Sequence, residues 1–457
     1  MVERKSLAGF HRIHMVGAAG SGMSGLAKLL AGLGYEVTGS DLKPNRVLDA
    51  LGDIGIDTWV GHRPDRMDRP QLVVASSAVP PTDPELVAAA EHGAVVWERP
   101  ALLDAFTARI PGIGISGTHG KTTTTGLAVA ALHGLGVDPT FLVGGELVTE
   151  NTFAHIGDQD VFVLEADEAF GTFRHLHLRA LLVTNIEADH LDYYKTMYAL
   201  EEAFALVANR TEGPVVGCID DPGVQRLAQR ADVITYGQSP AARWRIEDIT
   251  HGFGEVSFRL VAPETTVEVL VPRPGVHIAL DAAGAIALLA ELGYDPHGAA
   301  AGIAEFGGVR RRFETRVSLG GVTVVDDYAH HPTEVAATIS AGRLGGWSRV
   351  WAVFQPHRYT RTAALGPAFG EPLATADRVI VTDVYSAGEA PQPGVTGRVV
   401  ADAVSAAGGH VSYIPSIHDV PDAVVPELVD GDVVLLLGAG DVNSIADAIA
   451  AALGARS

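Results

Sequence analysis

Residues 114–127 read GISGTHGKTTTTGL. The apolar run IPGIGIS turns through small residues into the helical pattern GLAVAALHGL, which predicts a strand, a tight loop and a helix N-terminus. Free backbone N–H groups and the helix dipole at such a place favour a phosphate. A lysine there reaches β- and γ-phosphates, and the next hydroxyl can ligate Mg2+. Lys121 and Thr122 hold those two positions, with Gly117, Thr118, His119, Gly120 and Thr123 around them. The usual phosphate-loop pattern asks for glycine where this chain has Ile115, so the loop is a variant. Lysines are scarce, at 5, 28, 43, 121 and 195 only, which separates Lys121 from a lysine-rich surface.

Two further segments place acids and an imidazole where such a loop would need them. Glu165 ends the strand pattern in VLEADEAF, and TNIEADHLD ends the next with Asn185, Glu187, Asp189 and His190. Ligands of open parallel sheets bind beyond the carboxyl ends of the strands, so these groups are expected beside the loop. A carboxylate and an imidazole there could hold Mg2+ against a γ-phosphate and a substrate carboxylate. Taken singly, either segment reads as well as a helix cap and a surface histidine. Nearer the N-terminus, VGAAGSGMSG followed by Asp41 in VTGSD approximates the dinucleotide fingerprint, in which an acid roughly 20 residues on takes a ribose. Ala19 stands at its second glycine position. That turn alone would suit an NAD-dependent dehydrogenase, a reading that leaves the Lys121 loop and TNIEADH without a role. The last third gathers arginine and histidine in GVRRRFE, DDYAHHPTE and FQPHRYTRT. In so acidic a chain such a cluster needs anions to face, for example an amino-acid carboxylate bound bidentately.

The elements that must carry these groups are short β-branched runs alternating with helical patterns, the signature of parallel sheets with crossover helices. The fold class is therefore α/β. At 457 residues and 47% hydrophobic the chain suits about three domains. Boundaries are expected at 1–108 (Rossmann-like), 109–307 (P-loop type, with half-buried alternating strands VSFRLV and TVEVLV) and 308–457 (Rossmann-like). A net charge of -22 argues against nucleic acid, whose phosphates are held by Lys and Arg. The single cysteine, Cys218, cannot form an intrachain disulfide, and neither a signal peptide nor an apolar run of about 20 residues stands out, so a cytoplasmic protein is expected.

The form Gly-Thr-x-Gly-Lys-Thr at 117–122 resembles the ATP loop of the Mur ligases, the amide-forming enzymes of bacterial cell-wall synthesis. The N-terminal turn resembles the UDP-binding turn of their L-alanine-adding branch. GVRRRFE, DDYAHHPTE, FQPHRYTRT, YSAGEAP and GAGDV are similar to that branch nearly motif for motif, so the resemblance spans all three domains. It implies an ATP- and Mg2+-dependent ligase acting on UDP-N-acetylmuramic acid and L-alanine, without membrane insertion, as a monomer or homodimer. Gly20, Ser21 and Gly22 would cradle the diphosphate, with Asp41, Ser76, Ser77 and Arg99 as further substrate contacts. Thr122, Glu165 and His190 would ligate the metal, Arg311 or Arg312 would approach the transferring phosphate, and Asp327 the ATP ribose. Tyr328, His330, His357, Arg358 and Arg361 would line the place where acyl phosphate meets alanine, with His330 as the candidate base. His277 and Asp281 fall on the adenine-binding helix, where HIALD replaces HNxxN, and an aspartate at 281 accepts from the adenine amino group but does not donate. EADEAFGTF and RPALL likewise replace the common EADESDxSF and RAEML. A recycling branch that attaches a preformed peptide shares part of these motifs and is the alternative within the family.

Overall fold

The computed structural model describes residues 5–110, 112–158 and 160–455; the side chains of Ser21 and Asp192 lie outside the described residues. The chain divides into two compact units, one of Met1–Ile246, Val261–Val267 and Asp281–Ile303, the other of Glu247–Leu260, Glu268–Leu280 and Ala304–Ser457.

The first unit opens with five parallel strands, β1 (Arg12–Val16), β2 (Glu36–Asp41), β3 (Asp57–Val60), β4 (Leu72–Ala75) and β5 (Val95–Glu98). Their order, β3-β2-β1-β4-β5, is that of a doubly wound sheet, with its crevice where the order reverses beyond the ends of β1 and β4. Helices α1 (Ser21–Gly32), α2 (Arg46–Asp53) and α3 (Pro84–Glu91) make crossovers, and α4 (Arg99–Arg109) leads from β5 to the next sheet. β4, LVVA, is buried at every residue, as a parallel strand covered on both faces must be.

The second sheet begins with β6 (Gly112–Ser116), followed by helix α5 (Lys121–Gly134), and continues with β7 (Thr140–Leu147), β8 (Thr152–His155), β9 (Phe162–Glu165), β10 (Leu178–Val183), β11 (Val215–Cys218) and β12 (Ile234–Gly237). β6 lies parallel between β10 and β9, so the turns after Ser116, Val183 and Glu165 open at one edge. Gly25 of α1 leaves room for Leu142 and Phe153, and Lys28 Nζ lies 4.5 Å over the Phe153 ring, so the two sheets of this unit share one apolar core. β13 (Trp244–Gly252), β14 (Glu255–Ala262) and β15 (Thr265–Val271) follow, and the last two show the alternating burial expected of them.

The second unit carries β16 (Glu314–Leu319), β17 (Val322–Asp327), β18 (Arg349–Phe354), β19 (Arg378–Val381), β20 (Val411–Tyr413) and β21 (Asp432–Leu437) in the order β16-β17-β21-β18-β19-β20. Only β16 runs antiparallel. One face packs Val325, Phe354 and Leu435, the other Val324, Val353 and Leu436, and the strand ends at Asp327, Phe354 and Leu437 lie side by side. Among the described residues no helix is long and apolar enough to cross a membrane. Leu435 is fully buried at the centre of this sheet, so Leu435→Ala is expected to cost about 2–5 kcal/mol. Val429→Ala, at an exposed position, should change stability by about 0.5 kcal/mol or less. Urea unfolding of the two variants checks the contrast; equal midpoints would contradict it.

Candidate active site

The phosphate-type loop spans the turn from β6 into α5. Gly117 has φ 126° and Gly120 φ 85°, both left-handed, and a Cβ on Gly117 would lie 2.9 Å from the Asn185 carbonyl oxygen, so glycine is required there. The segment after β10 holds the loop. Thr118 N donates to Asn185 O at 3.1 Å and His119 N to Asn185 Oδ1 at 2.8 Å, while His119 O accepts from Thr184 Oγ1 at 2.6 Å and Asn185 Nδ2 at 3.0 Å. Glu187 N donates to Thr118 Oγ1 at 2.9 Å, and the His119 imidazole lies 3.3 Å from Glu187. Thr184 and Asn185 thus shape the loop, a role that the sequence did not announce. Thr122 and Thr123 stand in the first turn of α5, Thr122 buried and Thr123 half-buried.

Lys121 Nζ donates to both oxygens of Glu168 at 3.0 and 2.9 Å and to the carbonyl of Gly117 at 2.6 Å, with Asp167 at 3.6 Å. Burial alone would lower the ammonium's pKa, but the carboxylates of Glu168, Asp167 and Glu165 raise it, so the lysine remains charged. Glu168 was missed from sequence; the signal was there, since a lone lysine entering a packed loop demands an acid and EADE supplies one. The Glu168 carbonyl accepts from Tyr194 Oη at 2.6 Å.

The expected metal ligands are distributed more finely than the motifs suggested. Glu165 Oε1 accepts from Gly144 N at 2.6 Å. His190, at a left-handed φ of 54°, places Nε2 3.9 Å from Glu168 Oε1 and 3.9 Å from Asp189 Oδ2. The structure therefore groups His190 with Asp167 and Glu168, ligand-type atoms lying within 4.8 Å of one another. Hard oxygen donors with one imidazole suit a divalent cation such as Mg2+. Asp281 is buried against Gly120, its Oδ1 2.8 Å from where a Cβ would stand. In the other unit, His277 is half-buried, and desolvation lowers its pKa to about 4.

In the N-terminal sheet a cavity of about 460 Å3 opens beyond the ends of β1 to β4, lined among others by Gly17, Gly20, Asp41, His62, Ser76 and Thr82. Asp41 Oδ2 accepts from Ala19 N at 3.0 Å, which braces the glycine-rich turn from the side where a ribose acceptor was expected. Arg99 lies across Gly22, where a Cβ would come 2.7 Å from its Cζ, and its buried Nε has no hydrogen-bond partner. Ser77 is exposed and not part of the cavity wall. The side chain of Ser21 lies outside the described residues.

In the second unit Arg311 and Arg312 flank the Tyr328 ring, with Cζ 5.0 and 5.1 Å from its centroid. Arg311, at φ 59°, is held by Gly438 O at 2.8 Å, Gly440 O at 3.1 Å and Asp326 at 3.5 Å. Both Asp327 oxygens accept backbone N–H groups, from Phe313 and Ala329, each at 2.8 Å. Burial pushes the Asp327 carboxyl up to about 6, against Arg312 and those two bonds. Asp327 accordingly braces the arginine loop. His330 Nδ1 donates to the Tyr328 carbonyl at 3.0 Å, which leaves Nε2 as the acceptor. His357 shows the opposite tautomer, for its Nδ1 faces the donor Arg361 Nη1 at 3.4 Å, and its ring stacks on Tyr385 at 5.7 Å. Burial, then Arg361, His330 and Arg358 lower the His357 pKa to about 4; burial with Arg361 and Arg312 lowers that of His330 against Glu334. Among the described residues, Arg312, Arg358 and Arg361 have no carboxylate at ion-pair distance.

Three matches to domains of one family cover most of the chain: the Mur ligase family catalytic domain over residues 12–110, the Mur ligase middle domain over 115–289 and the Mur ligase glutamate ligase domain over 311–440. UDP-N-acetylmuramate–L-alanine ligase of Kineococcus radiotolerans is 44% identical over 445 residues, 95% of this chain and 94% of that one. Its counterpart in Cutibacterium acnes is 42% identical over 442 residues, with the same coverage of 95% and 94%. The crystal structure of UDP-N-acetylmuramate-alanine ligase from Thermotoga maritima matches with a TM-score of 0.83 at 27% identity, over 98% of this chain and 100% of that one. The three-domain α/β architecture is thus that of these enzymes, and the chain belongs to the Mur ligase family.

Proposed function

We propose that this protein is an ATP-dependent ligase that joins L-alanine to the lactyl carboxylate of UDP-N-acetylmuramic acid. The observation that carries the reading is the near full-length likeness to ligases named for that reaction. The geometry supports it with two kinds of anion site. One is a loop with a buried lysine beside acids able to hold a cation; the other is a set of arginines without acid partners in a chain of net charge -22.

The lactyl carboxylate attacks the γ-phosphorus of ATP, ADP leaves, and a mixed acyl phosphate forms. The unprotonated amino group of alanine then attacks the acyl carbon, and phosphate leaves from the tetrahedral intermediate. Lys121 and the N–H groups of Gly117 to Thr123 would neutralise the transferring phosphoryl group, the main demand of this chemistry. Thr122, Glu165 and His190 would hold Mg2+, with Asp167 and Glu168 close by; bound there, the cation would neutralise phosphate charge. Asp281 beside Gly120, with His277 one helical turn earlier in sequence, would serve the adenine end. Arg312 is the better candidate of its pair for the phosphate, because Arg311 is tied to Gly438, Gly440 and Asp326. Arg358 and Arg361 would take the alanine carboxylate beside Tyr328 and His357. His330 can accept the amine proton at Nε2, whereas His357 is occupied at Nδ1 by Arg361. Gly20, Ser21, Gly22, Asp41, Ser76 and Arg99 would hold the UDP portion, with Ser77 on the exposed loop beside them. The domains are proposed to divide at 1–108, 109–307 and 308–457.

Phosphate release from ATP, measured with UDP-N-acetylmuramate and a panel of amino acids and one preformed tripeptide, tests the activity. Alanine should support release and the tripeptide should not; the reverse would assign the recycling reaction. Lys121→Ala should lower turnover at least about 100-fold with the fold intact, and near-normal turnover would refute its role. Glu165→Ala and His190→Ala should each raise the Mg2+ concentration needed for half-maximal turnover, and unchanged Mg2+ titrations would remove them from the metal site. Arg361→Ala should weaken alanine use by about 2–5 kcal/mol while acyl phosphate still forms, as trapping with hydroxylamine without alanine would reveal. Loss of acyl phosphate as severe as in Lys121→Ala would instead put Arg361 on the phosphoryl group.

A further inference from the structure

Beneath the cavity of the N-terminal sheet lies a carboxylate that the proposed reaction does not use. Glu85, near the start of α3, is fully buried and accepts four hydrogen bonds: from Ser40 Oγ, from Trp59 Nε1 at 2.8 Å, from Arg63 N at 2.9 Å and from His14 Nε2 at 3.4 Å. Its donors come from β1, β2, β3 and the loop after β3, which are the walls of the crevice. His14 is fixed in turn by Thr38 Oγ1 at 2.8 Å and by stacking on Trp59, ring centroids 5.0 Å apart. Burial would push the Glu85 carboxyl up, yet these hydrogen bonds hold it at about 2, so it stays ionised. Asp83, also buried, works beside it: one oxygen accepts from Glu85 N at 2.8 Å and the other lies 2.9 Å from His62 Nδ1.

Ser40, His62 and Asp83 line the cavity, and Glu85 does not. The carboxylates set the polarity of that wall. With its hydrogen committed to Glu85, Ser40 Oγ has only acceptor capacity left, and Asp83 holds His62 by Nδ1 at 2.9 Å. We propose that Glu85 is a positioning residue for nucleotide recognition: from below the cavity it orients Ser40 and the 61–63 loop so that the wall offers acceptors to a hydrogen-bond donor on the nucleoside. The inference rests on the reading of this cavity as the UDP site. The donors available on uridine are the base N3–H and the ribose hydroxyls; cytidine keeps the hydroxyls but has no N3–H.

Titration calorimetry of the full-length protein with UDP, CDP and 2′-deoxy-UDP, for wild type, Glu85→Gln and Ser40→Ala, tests this. Glutamine cannot accept from all four donors, and its NH2 turns the Ser40 hydroxyl toward the cavity. The expected result is a roughly tenfold weaker Kd for UDP in Glu85→Gln, the value of about one hydrogen bond, with a smaller wild-type preference between UDP and the analogue lacking the donor. In turnover, KM for UDP-N-acetylmuramate should rise similarly while kcat and the KM values for ATP and alanine change less than about twofold. Discrimination against CDP would identify the base N–H, and discrimination against the deoxynucleotide the ribose. Ser40→Ala, which leaves Glu85 its other three donors, should lose the same discrimination and keeps the test decisive if Glu85→Gln does not fold. Wild-type UDP affinity and selectivity in both variants would overturn the positioning role. If wild type binds none of the three nucleotides, the cavity is not the UDP site, and the inference falls together with that reading.

Discussion

The rest of the structure depends on how a protein of net charge -22 keeps cations available to anionic substrates. Its clearest solution is the Lys121 ammonium, clamped between Glu168, Asp167 and two loop carbonyls. An unpaired ammonium in that packed loop would lose its proton or the loop its shape, whereas the paired one stays charged and fixed. The glycines at 117 and 120, and Thr184 and Asn185 on the neighbouring strand end, hold the backbone around it. Beside it, His190, Asp167 and Glu168 bring ligand-type atoms within 4.8 Å of one another.

The second unit solves the same problem in the opposite way. Among the described residues Arg312, Arg358 and Arg361 have no carboxylate at ion-pair distance, and burial, with these arginines adding to it, lowers the pKa of the two histidines beside them. The hydrogen bonds then distinguish the two rings. His330 Nδ1 faces the Tyr328 carbonyl and leaves Nε2 as the acceptor, whereas His357 Nδ1 faces the donor Arg361.

What could be read from sequence was what is local. The strand-loop-helix at 112–134, the glycine-rich turn at 17–22 and the arginine and histidine segments each declare themselves within a dozen residues. The pairing of Glu168 with Lys121, the grip of Asn185 on His119 and the four donors converging on Glu85 depend on strand register, such as Ser116 beside Val183, and no local pattern reports it. The same limit explains why Arg311 and Arg312 could not be told apart. Adjacent identical residues are separated only by a left-handed φ at 311 that sends its guanidinium to the Gly438 loop. The backbone partners of Asp327, the N–H groups of Phe313 and Ala329, were hidden for a related reason, since an acid at a strand end does not announce which backbone it braces.

The claim on which the account stands is that the lactyl carboxylate is activated as an acyl phosphate. UDP-N-acetylmuramate labelled with 18O in that carboxylate, turned over with ATP and L-alanine, tests it most directly. Attack of the carboxylate on the γ-phosphorus followed by loss of phosphate must carry one labelled oxygen into the inorganic phosphate, which mass spectrometry of the product would detect. Unlabelled phosphate accompanying amide formation, or label found in AMP, would contradict it.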